Sequence, residues 1–194
     1  MAQYEILPER TRIWADARSS LHPIHVETAG LTGVLEADIV GGTVRLGLPT
    51  HIELEVERLQ SHNSLIDMDL RRRLEARKYK HIKGDLKSAA PLGGLHLRLK
   101  GDLSIHGVVR SLAVDVRARV VGEDQVEVEG EKVIDMRDFG LTPPRFLGFR
   151  VEPTVKVRAR LVAQRKSWKG EGKESSQVPE PAARGARQHS QPGG

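Results

Sequence analysis

The sequence predicts a mainly all-β chain: about eight antiparallel strands forming a barrel, one short helix, and a basic tail without a fold. Three observations carry this. Apolar and polar residues alternate with a period of two along most of residues 1–163, only one stretch repeats its apolar residues at helical spacing, and beyond Ala163 both patterns stop.

The clearest alternation runs from Leu95 to Val121. Leu97, Leu99, Leu103 and Ile105 share one face, and His96, Arg98, Lys100 and His106 share the other. After a bend at Gly107, Val114 and Val116 continue the apolar face against Asp115 and Arg117. Successive residues of a strand point to opposite sides, so this is a hairpin with one buried and one wet face.

The other elements follow in chain order. After a turn at Pro8, Ile13, Ala15 and Ala17 oppose Arg12, Trp14, Asp16 and Arg18 as a strand. Ser20 to Gly30 reads as a turn region. There Pro23, between His22 and His25, forbids a regular helix, and with no third ligand nearby they read as loop histidines, not metal ligands. Leu31 to Val40 is a strand carrying Leu35 and Ile39; Gly41-Gly42 is its turn, Leu46 lies on the returning strand, and Pro49 ends it. Ile52, Leu54 and Val56 then alternate with Glu53, Glu55 and Glu57.

The helix is expected from Ser64 to Lys78. Ser64 and Asp67 suit its N-terminal cap, and Ile66, Leu70 and Leu74 recur at helical spacing. Asp67–Arg71, Asp69–Arg73 and Arg71–Glu75 are spaced for salt bridges. The run Arg71 to Arg73 could contact nucleic acid, but the interleaved carboxylates favour a solvated helix face. After the hairpin, Val126, Val128 and Ile134 precede a loop at Pro143-Pro144 and Phe146 to Phe149, and Val155 to Leu161 form the last strand.

Charge is uneven along the chain. From Arg165 onward six basic residues face three acidic ones, so this end holds +3 of the formal +5, and the near-balanced body argues against a specific nucleic-acid partner. The absence of cysteine excludes disulfides and thiolate chemistry. Neither a signal-peptide core nor a transmembrane run of about 18 apolar residues is present, which predicts a cytoplasmic protein. No nucleophile with a base, acid–base pair, metal cluster or phosphate-binding loop stands out, so no catalysis and no cofactor are expected. Asp135 and Asp138 read as turn residues, and His106 as a structural residue.

What remains is the apolar interior, which a barrel of this size either packs with side chains or leaves open for one small ligand. The candidate lining residues are Ile13, Ala15 and Ala17; Leu35, Ile39 and Leu46; and Leu54 and Val56. The hairpin adds Leu97, Leu99, Leu103, Ile105, Val114 and Val116, and the following segment adds Phe139, Phe146 and Phe149.

Two motifs connect these residues to a family. The segment Leu103-Ser104-Ile105-His106-Gly107-Val108 resembles the Leu-Thr-Ile-His-Gly-Val segment of the YceI-like polyisoprenoid-binding family, and Ile134, Asp135, Asp138, Phe139 and Gly140 resemble its Ile-Asp-Arg-x-Asp-Phe-Gly segment. Met136 stands where that family has an arginine, Lys80 replaces a frequent proline, and Ala15 occupies a position commonly aromatic. The resemblance spans Tyr4 to Val162 and implies a lipocalin-like barrel that binds or transports a polyisoprenoid or similar long apolar lipid, without catalysis. The expected partner is that lipid, with a homodimer allowed; the expected domains are a barrel over 1–163 and a disordered basic tail over 164–194. The alternative is a filled barrel acting as an interaction module, with the tail and Arg71 to Arg73 contacting nucleic acid or an acidic partner.

Overall fold

A computed structural model describes residues 1–146 and 149–166, with the side chains of Phe146 and Phe149 outside the described set. The strands are β1 (Ala2–Ile6), β2 (Arg12–Ser19), β3 (Ile24–Thr28), β4 (Thr32–Val40), β5 (Thr43–Glu55), β6 (His81–Gly93), β7 (His96–Ile105), β8 (Val108–Gly122), β9 (Gln125–Asp135), β10 (Arg145–Phe146) and β11 (Phe149–Arg165). A single helix, α1 (Ser64–Arg73), lies between β5 and β6.

From β4 to β9 each strand pairs antiparallel with the next, and β9 then pairs with β11. The far edge of β11 is shared: Val151 to Arg160 pair with β2, and Ala163 to Arg165 pair with β1. Because β1 also pairs with β4, from Ala2↔Ala37 to Glu5↔Val34, eight strands close a ring, with the β2–β3 hairpin added at one end. This is the antiparallel, lipocalin-like barrel expected from the alternating pattern, since closure removes the exposed edges of an antiparallel sheet.

Two tight turns show why particular residues occupy them. Gly41 and Gly42 have φ of 56° and 77°, and His106 and Gly107 have φ of 52° and 73°; two successive positive values give the turn that matches strand twist. His106 tolerates this conformation with its ring 4.9 Å from that of Tyr79, edge on, and its Nε2 3.3 Å from Glu75.

The structure corrects the sequence reading at several points. Ser20 to Gly30 is not all turn: β3 pairs with β2, and Ile24, Val26 and Thr28 face inward while His25 Nδ1 donates to the Asp16 carboxylate at 2.6 Å. Pro49 does not end its strand. β5 continues through a bulge in which Glu36 pairs with Gly47 and Val34 with His51, a place where a missing N–H is tolerated. Val56 leaves the strand for a single 3-10 turn, Val56–Arg58. Strand β6 and the short β10 were not anticipated.

The helix is shorter than its pattern, and Asn63, not Ser64, caps it. Its side-chain oxygen accepts from the N–H groups of Leu65 (3.0 Å) and Ile66 (3.4 Å). Asp67 instead accepts from Ser61, from the N–H at 2.7 Å and the hydroxyl at 2.6 Å. Arg71 reaches Glu57 at 3.1 Å, not Glu75, while Arg73 pairs with Asp69 as spaced.

Two apolar clusters hold the ring. Tyr4, Leu35, Leu46, Leu97, Val116 and Val126 are among the first, which packs one end solidly. The second, beneath α1, contains Val56, Leu74, Ala76, Ile105 and Phe139. Along β7, Leu97 belongs to the first cluster and Ile105 to the second, so the two lie at opposite ends of the barrel.

Candidate functional site

Between the two clusters lies a cavity of about 580 Å³. One wall is the sheet β3–β2–β11, whose cross-strand rows are Val26–Ala15–Val157 and Ile24–Ala17–Val155. Every residue of these rows is small or of middle size, so the wall is thin where an aromatic side chain would project inward. Ala15, at the centre, keeps the interior open. The opposite wall brings Ile52 and Leu54 of β5 and Leu103 and Ile105 of β7.

Helix α1 covers this space with Ile66 and Leu70, joined by Leu74 at its C-terminal cap, the three residues recurring at helical spacing. The segment after β9 closes the remaining side with Met136, Phe139 and Leu141. Phe139 is 1% exposed, and Gly140 after it turns the chain with φ of 71°. The two sequence motifs thus meet in one place: Ile105 and Val108 of the first pack with Ile134 and Phe139 of the second.

The charged side chains that border the cavity are already paired. Asp69, 13% exposed, binds Arg73 at 2.5 Å and Arg72 at 2.6 Å. Burial pushes the Asp69 carboxyl up, but the hydrogen bonds from Arg73 and Arg72 outweigh it and hold the carboxyl below the usual range. Lys83 reaches Glu53 at 3.4 Å. The rest of the lining is mostly apolar, which suits an uncharged hydrocarbon.

The candidate residues divide by depth. Ile13, Ala15, Ala17, Leu54, Leu103, Ile105 and Phe139 border the cavity. Leu35, Leu46, Leu97 and Val116 do not: they are buried in the packed end, with Ile39, Leu99 and Val114 against them. Val56 is buried in the cluster under α1. The side chains of Phe146 and Phe149 lie outside the described residues. Period two assigns a face but not a height along the strand, so inward residues at the filled end were grouped with those at the open end.

Several lining residues were missed. Ile24 and Val26 of β3 carried an alternating signal hidden by the proline and histidines before them, and Val151, Val155, Val157 and Ala159 line the cavity from β11. Asp135 is a turn cap: it accepts from the Arg137 N–H at 2.9 Å, and hydrogen bonds from the Arg137 side chain and backbone hold its carboxyl below the ordinary range. Among the described residues, no helix is long and apolar enough to cross a membrane.

A closed antiparallel ring around an apolar cavity, covered by one helix, defines the lipocalin-like class of barrels. The family signature of the YceI-like domain matches residues 4–163, and the chain belongs to that family. Its fold is similar to BcnA of Burkholderia cenocepacia, with TM-score 0.70 at 15% identity, covering 82% of this chain and 99% of that one. It is also similar to a polyisoprenoid binding domain from Saccharophagus degradans implicated in plant cell wall breakdown (TM-score 0.69, 11% identity, 86% and 100% covered). The YceI protein of Campylobacter jejuni matches with TM-score 0.63 at 15% identity, over 73% of this chain and 85% of that one. No curated protein matches the chain by sequence.

Proposed function

We propose that this protein binds or carries the chain of a polyisoprenoid or similar lipid in the cavity beneath α1, without catalysis and without a cofactor. The observation that carries the reading is the cavity of about 580 Å³ lined mainly by aliphatic residues and Phe139, with Asp69, Arg73 and Lys83 among the few polar groups at its border. Burial contributes about 0.8 kcal/mol per methylene, so a few isoprene units exceed the cost of ordering a flexible chain. The polyisoprenoid-binding neighbour and the shared family support the same ligand class.

The proposal takes the barrel, which uses the chain through Lys166, as the binding domain and residues 167–194 as an appendage, and places the protein in the cytoplasm. The alternative, a filled barrel acting as an interaction module whose tail and Arg71 to Arg73 contact nucleic acid or an acidic partner, ranks lower because those arginines are engaged by Glu57 and Asp69. Native mass spectrometry of the purified protein tests the proposal. A non-covalent adduct of lipid mass, lost on solvent extraction and regained with a polyprenol, is the expected result. A protein that shows no adduct and takes up no polyprenol defeats it.

A further inference from the structure

At the end of the barrel that α1 covers, the cavity meets solvent: Leu65 borders the cavity and is still 56% exposed. His22 of the β2–β3 turn, and Thr142 and Pro144 of the segment after β9, border the same space, so helix, turn and segment form one rim. Two further apolar side chains stand out from it. Met68, three residues on from Leu65 along the outer stripe of α1, is 63% exposed, and Leu21 in the turn is 69% exposed. Leu21 is held in place there. The Ser19 hydroxyl oxygen accepts from the N–H groups of Leu21 (3.3 Å) and His22 (3.1 Å), and the Ser20 N–H donates to the Arg150 carbonyl at 2.9 Å.

Positive charge is concentrated at the same end. Residues 56–80 and 136–146, with Arg18 and Arg150 at the strand ends beside them, hold eleven basic residues against five acidic, a surplus larger than the formal +5 of the whole chain. The rest of residues 1–164 holds fourteen basic against eighteen acidic. Arg145 and Arg150 are cross-strand partners in the β10–β11 pair, both exposed, and among the described residues neither they nor Arg18 has an ion pair. Like charges directly opposite one another repel, so the free protein carries a cost that an anion between the two guanidiniums removes.

Resting on the lipid reading for what the cavity holds, we infer that this rim docks the barrel on an anionic bilayer, with Leu21, Leu65 and Met68 entering the headgroup layer and Arg18, Arg145 and Arg150 against the phosphates. Exposed apolar residues beside unpaired cations match a surface that is anionic outside and hydrocarbon beneath. A nucleic acid or an acidic protein would answer the charge but leave Leu21 and Met68 in water. The net acidic remainder of the barrel is repelled by the same surface, which fixes the orientation. Docked in this way, the mouth of the cavity faces the acyl region, and a lipid chain passes between bilayer and barrel without crossing water.

The test is flotation of the full-length protein with vesicles of phosphatidylcholine alone or mixed with phosphatidylglycerol, beside polyprenol uptake from detergent read by native mass spectrometry. Binding is expected only where phosphatidylglycerol is present, and it should weaken as salt is raised. Each arginine near an anionic surface is worth about fivefold in binding, so Arg145→Glu with Arg150→Glu should lower vesicle affinity by more than about twentyfold. Leu21→Ser with Met68→Ser should lower it by about tenfold or more through lost apolar burial. None of these four residues borders the cavity, so melting and polyprenol uptake should be unchanged in both variants. Arg145→Gln with Arg150→Gln removes the charge without adding carboxylates, and serves if the glutamate pair misfolds. Vesicle binding that is absent, or that the arginine pair leaves unaltered because the basic tail alone carries it, overturns the docking. A loss with the arginine pair and none with Leu21→Ser and Met68→Ser shows a face for soluble polyanions and overturns it equally. In each case polyprenol uptake by the unmodified protein leaves the lipid reading standing, whereas vesicle docking without that uptake overturns the lipid reading alone.

Discussion

Tyr79 lies flat enough against Gly107 that a Cβ on the glycine would come within 2.5 Å of the ring's Cε1. Gly107 also has φ of 73°, so it is the residue required both by the turn and by the ring over it. This explains physically why the Ile-His-Gly segment ends in glycine: Tyr79 packs on the β7–β8 turn, against Gly107 and edge on to the ring of His106.

Gly107→Ala is therefore expected to destabilise the fold by about 1–3 kcal/mol, from backbone strain and the clash together. Tyr79→Ala in the same background removes only the clash. Urea unfolding of the double-mutant cycle should show a less-than-additive cost, and strict additivity would mean that the ring does not press on the turn.

Glu127 is 1% exposed yet faces outward between two arginines, with Arg160 donating from Nε at 2.8 Å and Arg119 on the other oxygen. Burial raises its pKa, but the hydrogen bonds from Arg160 and Arg119 prevail and the net shift is downward. A lowered folded-state pKa stabilises above the unfolded value, about 4.3, and that stability is lost as pH falls through the folded one. Thermal melting should thus fall off in acid less steeply in Glu127→Gln than in the unmodified protein. At neutral pH the same variant leaves two guanidiniums facing each other and should cost about 1–3 kcal/mol. Identical acid profiles would show that the carboxylate contributes nothing.

How much of this was legible before the structure depends on the kind of information. The face of each residue was readable: Ile13, Leu54, Leu103 and Ile105 point inward as their parity demands. Strand β6 was not readable, because its inward positions include Gly84 and Ala89 and its outward ones are Lys83, Asp85 and Lys87, too little contrast for a periodic signal. Depth was not readable either. Leu97 and Leu103 look alike in sequence, and only the cross-strand pairings Leu97↔Val116 and Gly84↔Leu103 assign one to the packed end and the other to the cavity.

That division gives a paired test. Ala15→Trp places an indole in open space, so melting should hold while binding of a fluorescent polyprenyl probe is lost. Val116→Trp places the same ring in the packed end and should cost about 1–3 kcal/mol from overpacking. If Ala15→Trp is as destabilising as Val116→Trp, the cavity is not there to receive it.

The C-terminal boundary can be placed by hydrogen bonding. The N–H of Arg165 donates to Asp124 at 2.7 Å and that of Lys166 to Gln3 at 2.8 Å, so the barrel uses the chain through Lys166. Deleting residues 167–194 should leave the melting temperature unchanged, whereas a cut before Arg165 should lower it. A drop of many degrees on the shorter deletion would show that these residues pack on the barrel.

The pairing of Tyr4 with Arg165 closes the ring with residues from almost opposite ends of the described chain. Neighbouring hairpins such as β4–β5 and β7–β8 form from adjacent sequence, and β1 can pair with β4 early, but the β1–β11 pairing that closes the ring waits for the end of β11. The last event in folding is then a long-range one, with a loop-closure entropy that no local turn can lower, and such topologies fold in about milliseconds to seconds. Until then the end of β11 and the strand that faces it present unpaired edges, so a newly made chain is most exposed to edge-to-edge pairing with its own copies just before the ring closes.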